Sequence, residues 1–315
     1  MQEMQQKKYD AIIIGGGPAG LSAAIYARRG GLETLLLEKA QEGGTIAITA
    51  EVENYPGGIK GESGAELAAR MAEQATSFGC DKARGEVVSV DFSGSVKEVR
   101  TADAVWQGAH VIIATGSLPQ TLGVPGEAEF AGRGVSYCAT CDAPFFRGLQ
   151  VYVVGGGNSA VEEALHLAHF ARQVTIIHRR DQLRASPAIQ KKAMEAENID
   201  FLWDTVVKEI KGEVVLGTIV AENVKSGAVT EITAPAGDGL MGLFVFAGIR
   251  PQTDAFEGLL DMRDGYIVTD ECMRTNVPGV YAAGDVRCKE LRQAVTAAAD
   301  GAMAAYAIER DMMRG

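Results

Sequence analysis

The chain has 315 residues, 47% apolar and 23% charged, an ordinary globular balance with enough length to bury two cores. Its formal charge of −11 argues against a phosphate-backbone partner, because nucleic-acid binding needs concentrated positive charge to displace counterions. No run of about 18 apolar residues escapes interruption by Gly, Pro or a charge, and the polar start from Met1 to Asp10 lacks the apolar core of an export signal, so a soluble, cytoplasmic protein is expected.

The first apolar run, Asp10-Ala-Ile-Ile-Ile, leads into Gly15-Gly-Gly-Pro-Ala-Gly20 and an alanine-rich amphipathic segment, the strand, turn and helix order of a dinucleotide fold. Gly15 permits the tight turn, Gly17 lets a pyrophosphate approach the backbone, and Gly20 lets helix pack on strand. Pro18 and Ala19 complete the loop, which delivers phosphates to a helix N-terminus. Leu32 to Leu37 reads as the second strand and ends at Glu38, about 20 residues past the glycines, where a ribose hydroxyl favours a carboxylate. A lone glycine motif also fits a strand turn that binds nothing; Glu38 and the second copy of the motif weigh against that reading.

Farther on, Glu86-Val-Val-Ser-Val-Asp91 alternates and meets a turn at Ser93-Gly94, as a small antiparallel sheet does. Val111-Ile-Ile-Ala is a buried strand that runs through Thr115 and Gly116 to Pro119, a first crossing between domains. Cys138-Ala-Thr-Cys141 follows, with Asp142 beside it. Two cysteines at this spacing can close a small disulfide, one thiol can be activated as a thiolate, and Asp142 is a candidate proton donor. The competing reading is half a zinc site, but structural zinc asks for four ligands and no second Cys-x-x-Cys or Cys-x-x-His occurs, so no metal is expected. Five cysteines in all, an odd number, fit a reducing compartment; Cys80, Cys272 and Cys288 read as small buried apolar residues.

The opening motif then returns as Val151-Tyr-Val-Val-Gly-Gly-Gly-Asn-Ser-Ala160. Gly155, Gly157 and Ala160 fill the three positions, with Asn158 and Ser159 in the loop. The equivalent strand, Val174 to Ile177, ends in His178-Arg179-Arg180, with Arg184 a helical turn later. Those cations suit a 2′-phosphate and favour NADPH over NADH, the alternative being a solvated, charged helix start. Glu163-Ala-Leu-His166 with His169 has the spacing of half a di-iron site; it occurs once, and a surface helix face is expected. Val206 to Glu209 and the turn at Ser226-Gly227 indicate a second small sheet. Leu243 to Pro251 is the second crossing, and Gly279 to Asp285 precedes a C-terminal helix from about Arg292 to Arg310. The expected fold is therefore α/β, with two Rossmann-like, three-layer ββα dinucleotide-binding domains, residues 118–247 inserted between 1–117 and 248–315.

In this order the pieces resemble the low-molecular-weight thioredoxin reductases over essentially the whole chain. The resemblance rests on Glu51-Val-Glu-Asn-Tyr-Pro-Gly57, Ala114-Thr-Gly116, Gly123-Val-Pro-Gly-Glu127, Tyr137-Cys-Ala-Thr-Cys-Asp142, His178-Arg-Arg-Asp181, and Gly284-Asp285 with Arg292-Gln-Ala294. It implies electron flow from NADPH through FAD to the Cys138/Cys141 pair and on to thioredoxin or a thioredoxin-like protein. In that scheme Cys141 faces the flavin, Cys138 attacks the partner and Asp142 shuttles protons. It further implies that Gly44, Thr45, Asn54, Thr115, Gly116, Gly284, Asp285, Arg292, Gln293 and Ala294 line the FAD site, and that the inserted domain rotates about hinges near 115–119 and 247–251. Partner contact would come from Arg133, Ala143, Pro144, Phe145, Phe146, Arg147 and the helix carrying Arg70, with core burial the competing reading for the two phenylalanines; a homodimer is also implied. The chain departs from the family pattern at Thr45, at Ala143-Pro144 and at Gln252. Two alternatives to this function are a related flavoprotein with another donor or acceptor, such as ferredoxin or a glutaredoxin-like protein, and a redox sensor without turnover.

Overall fold

Four consecutive apolar residues, Ala11 to Ile14, three of them β-branched isoleucines, suit a strand that is covered on both faces. They lie in β1 (Lys8–Ile14) and all four are buried in the structure, a computed structural model that describes residues 7–49 and 51–314, to which the counts given refer. The chain continues through α1 (Pro18–Arg29), β2 (Thr34–Glu38), α2 (Gly64–Ser77), β3 (Asp81–Arg84), β4 (Val87–Asp91), β5 (Lys97–Thr101), β6 (Val105–Ile113) and β7 (Ser117–Pro119). Next come β8 (Val135–Ser136), α3 (Ala139–Asp142), β9 (Gln150–Val154), α4 (Asn158–Leu167), β10 (Gln173–Ile177), α5 (Pro187–Glu195), β11 (Ile199–Leu202), β12 (Thr205–Gly212), β13 (Leu216–Asn223), β14 (Val229–Thr233) and β15 (Gly242–Val245). The last elements are β16 (Ile249–Pro251), β17 (Met262–Arg263), β18 (Tyr266–Ile267), β19 (Val280–Ala282) and α6 (Ala294–Arg314). Two compact units result, one made of the described residues up to Leu118 and from Arg250 onward, the other of Pro119–Ile249.

In the first unit, β3, β2, β1, β6 and β19 form a parallel sheet, while β4 and β5 join the front half of β6 as an antiparallel meander. The long strand β6 thus belongs to two layers. Ile13, Leu36 and Ile112 point to the helices, where they meet Leu21, Ala24, Ala304 and Ile308; Ile12, Leu35, Val111 and Ile113 point the other way, toward Val99, Phe92 and Phe256. Each fully buried Leu or Ile of this set contributes about 1.5–3 kcal/mol. The helix α2 starts in a capping box, Ser63 Oγ accepting from the Glu66 N–H at 3.2 Å while the Glu66 carboxylate accepts from the Ser63 N–H at 2.8 Å.

The second unit repeats the plan with a five-stranded parallel sheet, β11-β10-β9-β15-β8, and an antiparallel sheet, β12-β13-β14. Val151, Val153, Ile176 and Phe244 face Ala160, Ala164 and Leu167; Tyr152, Ile177 and Leu243 face Ile210, Leu216 and Ile219. The two crossings, β7 and β16, pair with each other as a short ribbon. The last helix starts at Ala294 and ends at Arg314, two residues later at its start and four later at its end than its sequence pattern indicates. No helix of the described residues is long and apolar enough to cross a membrane.

Candidate functional site

The first glycine loop is fixed by close approach. Gly15 has φ +107° and gives its N–H to Leu37 O at 2.8 Å, and a Cβ on Gly20 would stand 1.8 Å from Gly15 O. Glu38 sits at the end of β2, where its carboxylate accepts the Gly16 N–H at 2.6 Å and the Ala40 N–H at 2.9 Å. Gly43 donates to Gly16 O at 2.8 Å, which brings Gly44 beside Gly17. Gly17 is the N-cap of α1 and has no side-chain cap, Pro18 follows in the first helical turn, and buried Ala19 comes next. The amino end of α1 therefore keeps N–H groups with no side-chain acceptor, an arrangement that favours an anion.

Other parts of the first unit converge nearby in the fold. Thr115 Oγ donates to Gln252 O at 2.7 Å, the Gln252 amide donates to Thr115 O at 2.9 Å, and the Gln252 N–H donates to Gly116 O at 2.9 Å. The sequence singles out Gln252 only as a departure; the structure makes it the clamp of the Thr115–Gly116 turn. Thr45 Oγ reaches Ser117 O at 3.4 Å, and the Asn54 amide donates to Gln293 at 3.1 Å. Asp300 on α6 accepts the Gly284 N–H at 3.1 Å and binds Lys289 at 2.8 Å and Arg287 at 3.3 Å, fixing the turn that carries Asp285. Asp285 Oδ1 and Arg292 Nε are buried with no partner, although the Arg292 guanidinium lies 4.1 Å from the centre of the Tyr266 ring. Burial holds the Asp285 carboxyl above its usual range, opposed by Lys289 and Arg292. A buried acceptor and a buried donor left open in one segment fit a polar, hydroxyl-bearing and anionic group such as the ribityl phosphate of a flavin.

The second loop has the same construction. Gly155 donates to Ile177 O at 3.2 Å, the counterpart of Gly15 on Leu37, so His178 occupies the position that Glu38 holds in the first unit. The imidazole lies against Gly156, where a Cβ would come within 2.4 Å of the ring. Burial, with Arg184, Arg180 and Arg179, pushes the His178 pKa below its usual value, so the ring is neutral at pH 7, and its Nε2 is buried without a partner. Arg179, Arg180 and Arg184 are exposed and none forms an ion pair among the described residues; the neighbouring Asp181 is taken by Lys225 at 3.0 Å. Gly157 caps α4 without a side-chain cap, Asn158 accepts the Ser186 N–H at 2.8 Å, Ser159 is exposed and Ala160 is buried. An uncapped helix end and three uncompensated arginines fit a phosphorylated dinucleotide.

Cys138 and Cys141 are joined by a disulfide across α3, with Cα atoms 5.3 Å apart, and the Cys141 N–H points at the Cys138 sulfur at 3.2 Å. Asp142 is half-buried, its carboxyl raised by burial and lowered in part by a 2.6 Å hydrogen bond from Ser136. Sequence reasoning missed Ser136; its one signal is its place two residues before Cys138. Glu127, also unassigned, is buried and accepts from the Leu122 and Gly123 N–H groups and from Tyr137 OH, fastening the residue before the disulfide. Phe145 is exposed whereas Phe146 packs edge-on against Phe244, so the pair divides between surface and core. Arg133 lies over Phe130 and Arg147 over Phe170, while Arg70 makes a bidentate pair with the buried Glu62. His166 stacks at a tilt on Phe170, and no cluster of metal-ligating side chains occurs among the described residues. Of the remaining cysteines only Cys80 is buried, its thiol pushed up to about 11 by burial; Cys272 and Cys288 are half-buried, against expectation, because each lies in a loop.

A profile of the pyridine nucleotide-disulphide oxidoreductase family matches residues 9–301. The chain is 50% identical over 303 residues to a thioredoxin reductase of Peptoclostridium acidaminophilum, covering 96% of each, and 44% identical over 310 residues to one of Bacillus subtilis, covering 97% and 95%. The crystal structure of thioredoxin reductase from Streptococcus pyogenes is similar with a TM-score of 0.92 at 44% identity, over 98% of this chain and 99% of that one.

Proposed function

The chain belongs to the pyridine nucleotide-disulphide oxidoreductase family, in its low-molecular-weight thioredoxin reductase branch, and from that premise we propose how its residues carry out the NADPH-dependent reduction of thioredoxin disulfides. FAD and NADPH, when bound, supply the hydride and two-electron chemistry that reduces the Cys138–Cys141 disulfide. Gly15, Gly17, Pro18, Ala19 and Gly20 receive the FAD pyrophosphate at the α1 amino end, and Glu38 the adenosine ribose. Gly44, Thr45, Asn54, Thr115 and Gly116 line the flavin, and Gly284, Asp285, Arg292, Gln293 and Ala294 take its ribityl and phosphate region. Gly155, Gly157, Asn158, Ser159 and Ala160 receive the NADPH pyrophosphate. His178 packs beneath that loop, and Arg179, Arg180 and Arg184 bind the 2′-phosphate.

In the exchange half of the reaction, Asp142 takes the proton of the Cys138 thiol, and the thiolate attacks the partner disulfide. The partner sulfur–sulfur bond breaks as the mixed disulfide forms, and the proton returns to the departing partner thiolate. Cys141 then attacks the Cys138 sulfur, its own thiol proton passing to the second partner sulfur as that bond breaks, so the intramolecular disulfide closes and the second partner thiol is released. Two electrons and two protons pass from the pair to the partner, so the step balances. The observation that carries this reading is the Cys138–Cys141 disulfide with a half-buried carboxyl one residue away. Cytoplasmic residence and a homodimer belong to the same proposal; sedimentation of the purified protein at twice the chain mass supports the dimer, and a single-chain mass counts against it. The test of the function is Cys138→Ser: NADPH still bleaches the flavin but thioredoxin is no longer reduced, and unchanged thioredoxin turnover refutes the assignment.

A further inference from the structure

Ser136 is 5% exposed and lies two residues before the disulfide. Its Oγ is 2.6 Å from Asp142 Oδ2, 3.3 Å from Cys138 O and 3.1 Å from the Cys138 nitrogen, whose N–H it accepts. A hydroxyl has a single hydrogen and two lone pairs, so it donates to only one of the two acceptor oxygens at a time. With Asp142 ionised, the hydrogen goes to the carboxylate, the shorter contact. With Asp142 protonated, the carboxyl donates into the second lone pair of Oγ, and the serine hydrogen turns to the Cys138 carbonyl. Both arrangements leave Oγ and the Asp142 oxygen paired.

We propose that Ser136 is a positioning residue of the thiol–disulfide exchange, a reversible hydrogen-bond relay that lets Asp142 gain and lose its proton in a buried turn while tying it to the Cys138 backbone. This rests on Asp142 as the proton carrier of the exchange. An unpaired buried polar atom carries a desolvation cost whichever protonation state leaves it unpaired. Without the relay both states bear that cost, the ionised one the more because its hydrogen bond is charge-assisted, and the proton transfer slows. Burial and Ser136 are the influences acting on Asp142; α4, which packs against α3, carries Glu162, Glu163 and His166, and none of these shifts the Asp142 carboxyl. Along the chain, the titratable groups closest to Asp142 are the two sulfurs once reduced. The proton that Asp142 takes comes from the Cys138 thiol and leaves on the partner thiolate, so no further reactant is required.

The experiment uses the full-length flavin-loaded protein, reduced with excess dithiothreitol, as the wild type and as S136A, S136T and D142N. Two readouts are followed against pH: the infrared carboxyl band that D142N removes, and the rate at which Cys138 reacts with iodoacetamide. Flavin content serves as the check on folding. In S136A the ionised carboxylate loses the stronger hydrogen bond, so the carboxyl band and the matching limb of the alkylation profile move to higher pH. S136T, which keeps the hydroxyl, restores the wild-type position. If S136A titrates like the wild type while D142N removes the limb, the relay is overturned and Asp142 keeps its role. If D142N leaves the alkylation profile unchanged, the Asp142 reading falls and the relay with it. Should S136A not fold, the wild-type band decides: the frequency of a carboxyl free of hydrogen bonds overturns the relay, and a hydrogen-bonded one supports it.

Discussion

Removing Arg179 and Arg180 together separates phosphate recognition from general dinucleotide binding. Both are exposed, neither is ion-paired among the described residues, and Lys225 already pairs with the acidic residues beside them, Asp181 and Asp204, so their charge is available to a ligand. A hydrogen bond to a charged group contributes about 1.5–3 kcal/mol. Exposure favours the lower end, since solvent and salt screen the pair. Two arginines then supply about 3 kcal/mol, or roughly 100-fold in affinity at 1.4 kcal/mol per decade. R179A/R180A is therefore expected to weaken NADP+ about 100-fold at low salt while NAD+ changes less than about threefold, with Arg184 leaving a residual preference. The assay is equilibrium titration of the oxidised protein with each nucleotide, followed by flavin fluorescence at two ionic strengths. Equal loss for both nucleotides refutes the phosphate role, and so does an NADP+ affinity that ignores salt.

Three further outcomes follow from particular contacts. H178E puts at the second loop the carboxylate that Glu38 supplies at the first; NADPH is expected to weaken at least about tenfold and NADH to gain, by nucleotide titration, and unchanged affinities for both refute the equivalence. Asp311 is held down to about 2 by a bidentate bond from Arg274 and by Tyr281, from an ordinary value of 3.8. Its folded-state pKa is depressed, so its contribution is complete above about pH 4 and is lost as pH falls toward 2. D311N is expected to cost about 1 kcal/mol at pH 7 after discounting for partial exposure, and almost nothing near pH 2; a urea-unfolding difference that does not change with pH contradicts this. S63A breaks the capping box of α2 and is expected to cost about 1 kcal/mol in the same assay, with no measurable loss counting against the cap.

What the sequence makes legible is local. The two glycine loops are readable because turn, pyrophosphate approach and helix packing each demand a small residue within a few positions, and Glu38 and His178 follow at a distance set by one helix and one strand. The disulfide pair is readable for the same reason. Gln252 is not, because its bonds to Thr115 and Gly116 close over more than a hundred residues that the inserted unit separates. Ser136 escapes for another reason: serine is common at strand ends, and only burial together with three converging partners distinguishes this one. Composition gives no way to divide Phe145 from Phe146, since adjacent residues in a single short turn face opposite sides.

The central claim is that a flavin and the Cys138–Cys141 disulfide act as one electron store. Anaerobic dithionite titration of the purified flavoprotein, followed by flavin absorbance and thiol counting, tests it most directly. The wild type should take up about four electrons per flavin and expose two new thiols, and Cys138→Ser should take up about two electrons with no new thiols. A wild type that stops at about two electrons with its thiol count unchanged would contradict the account.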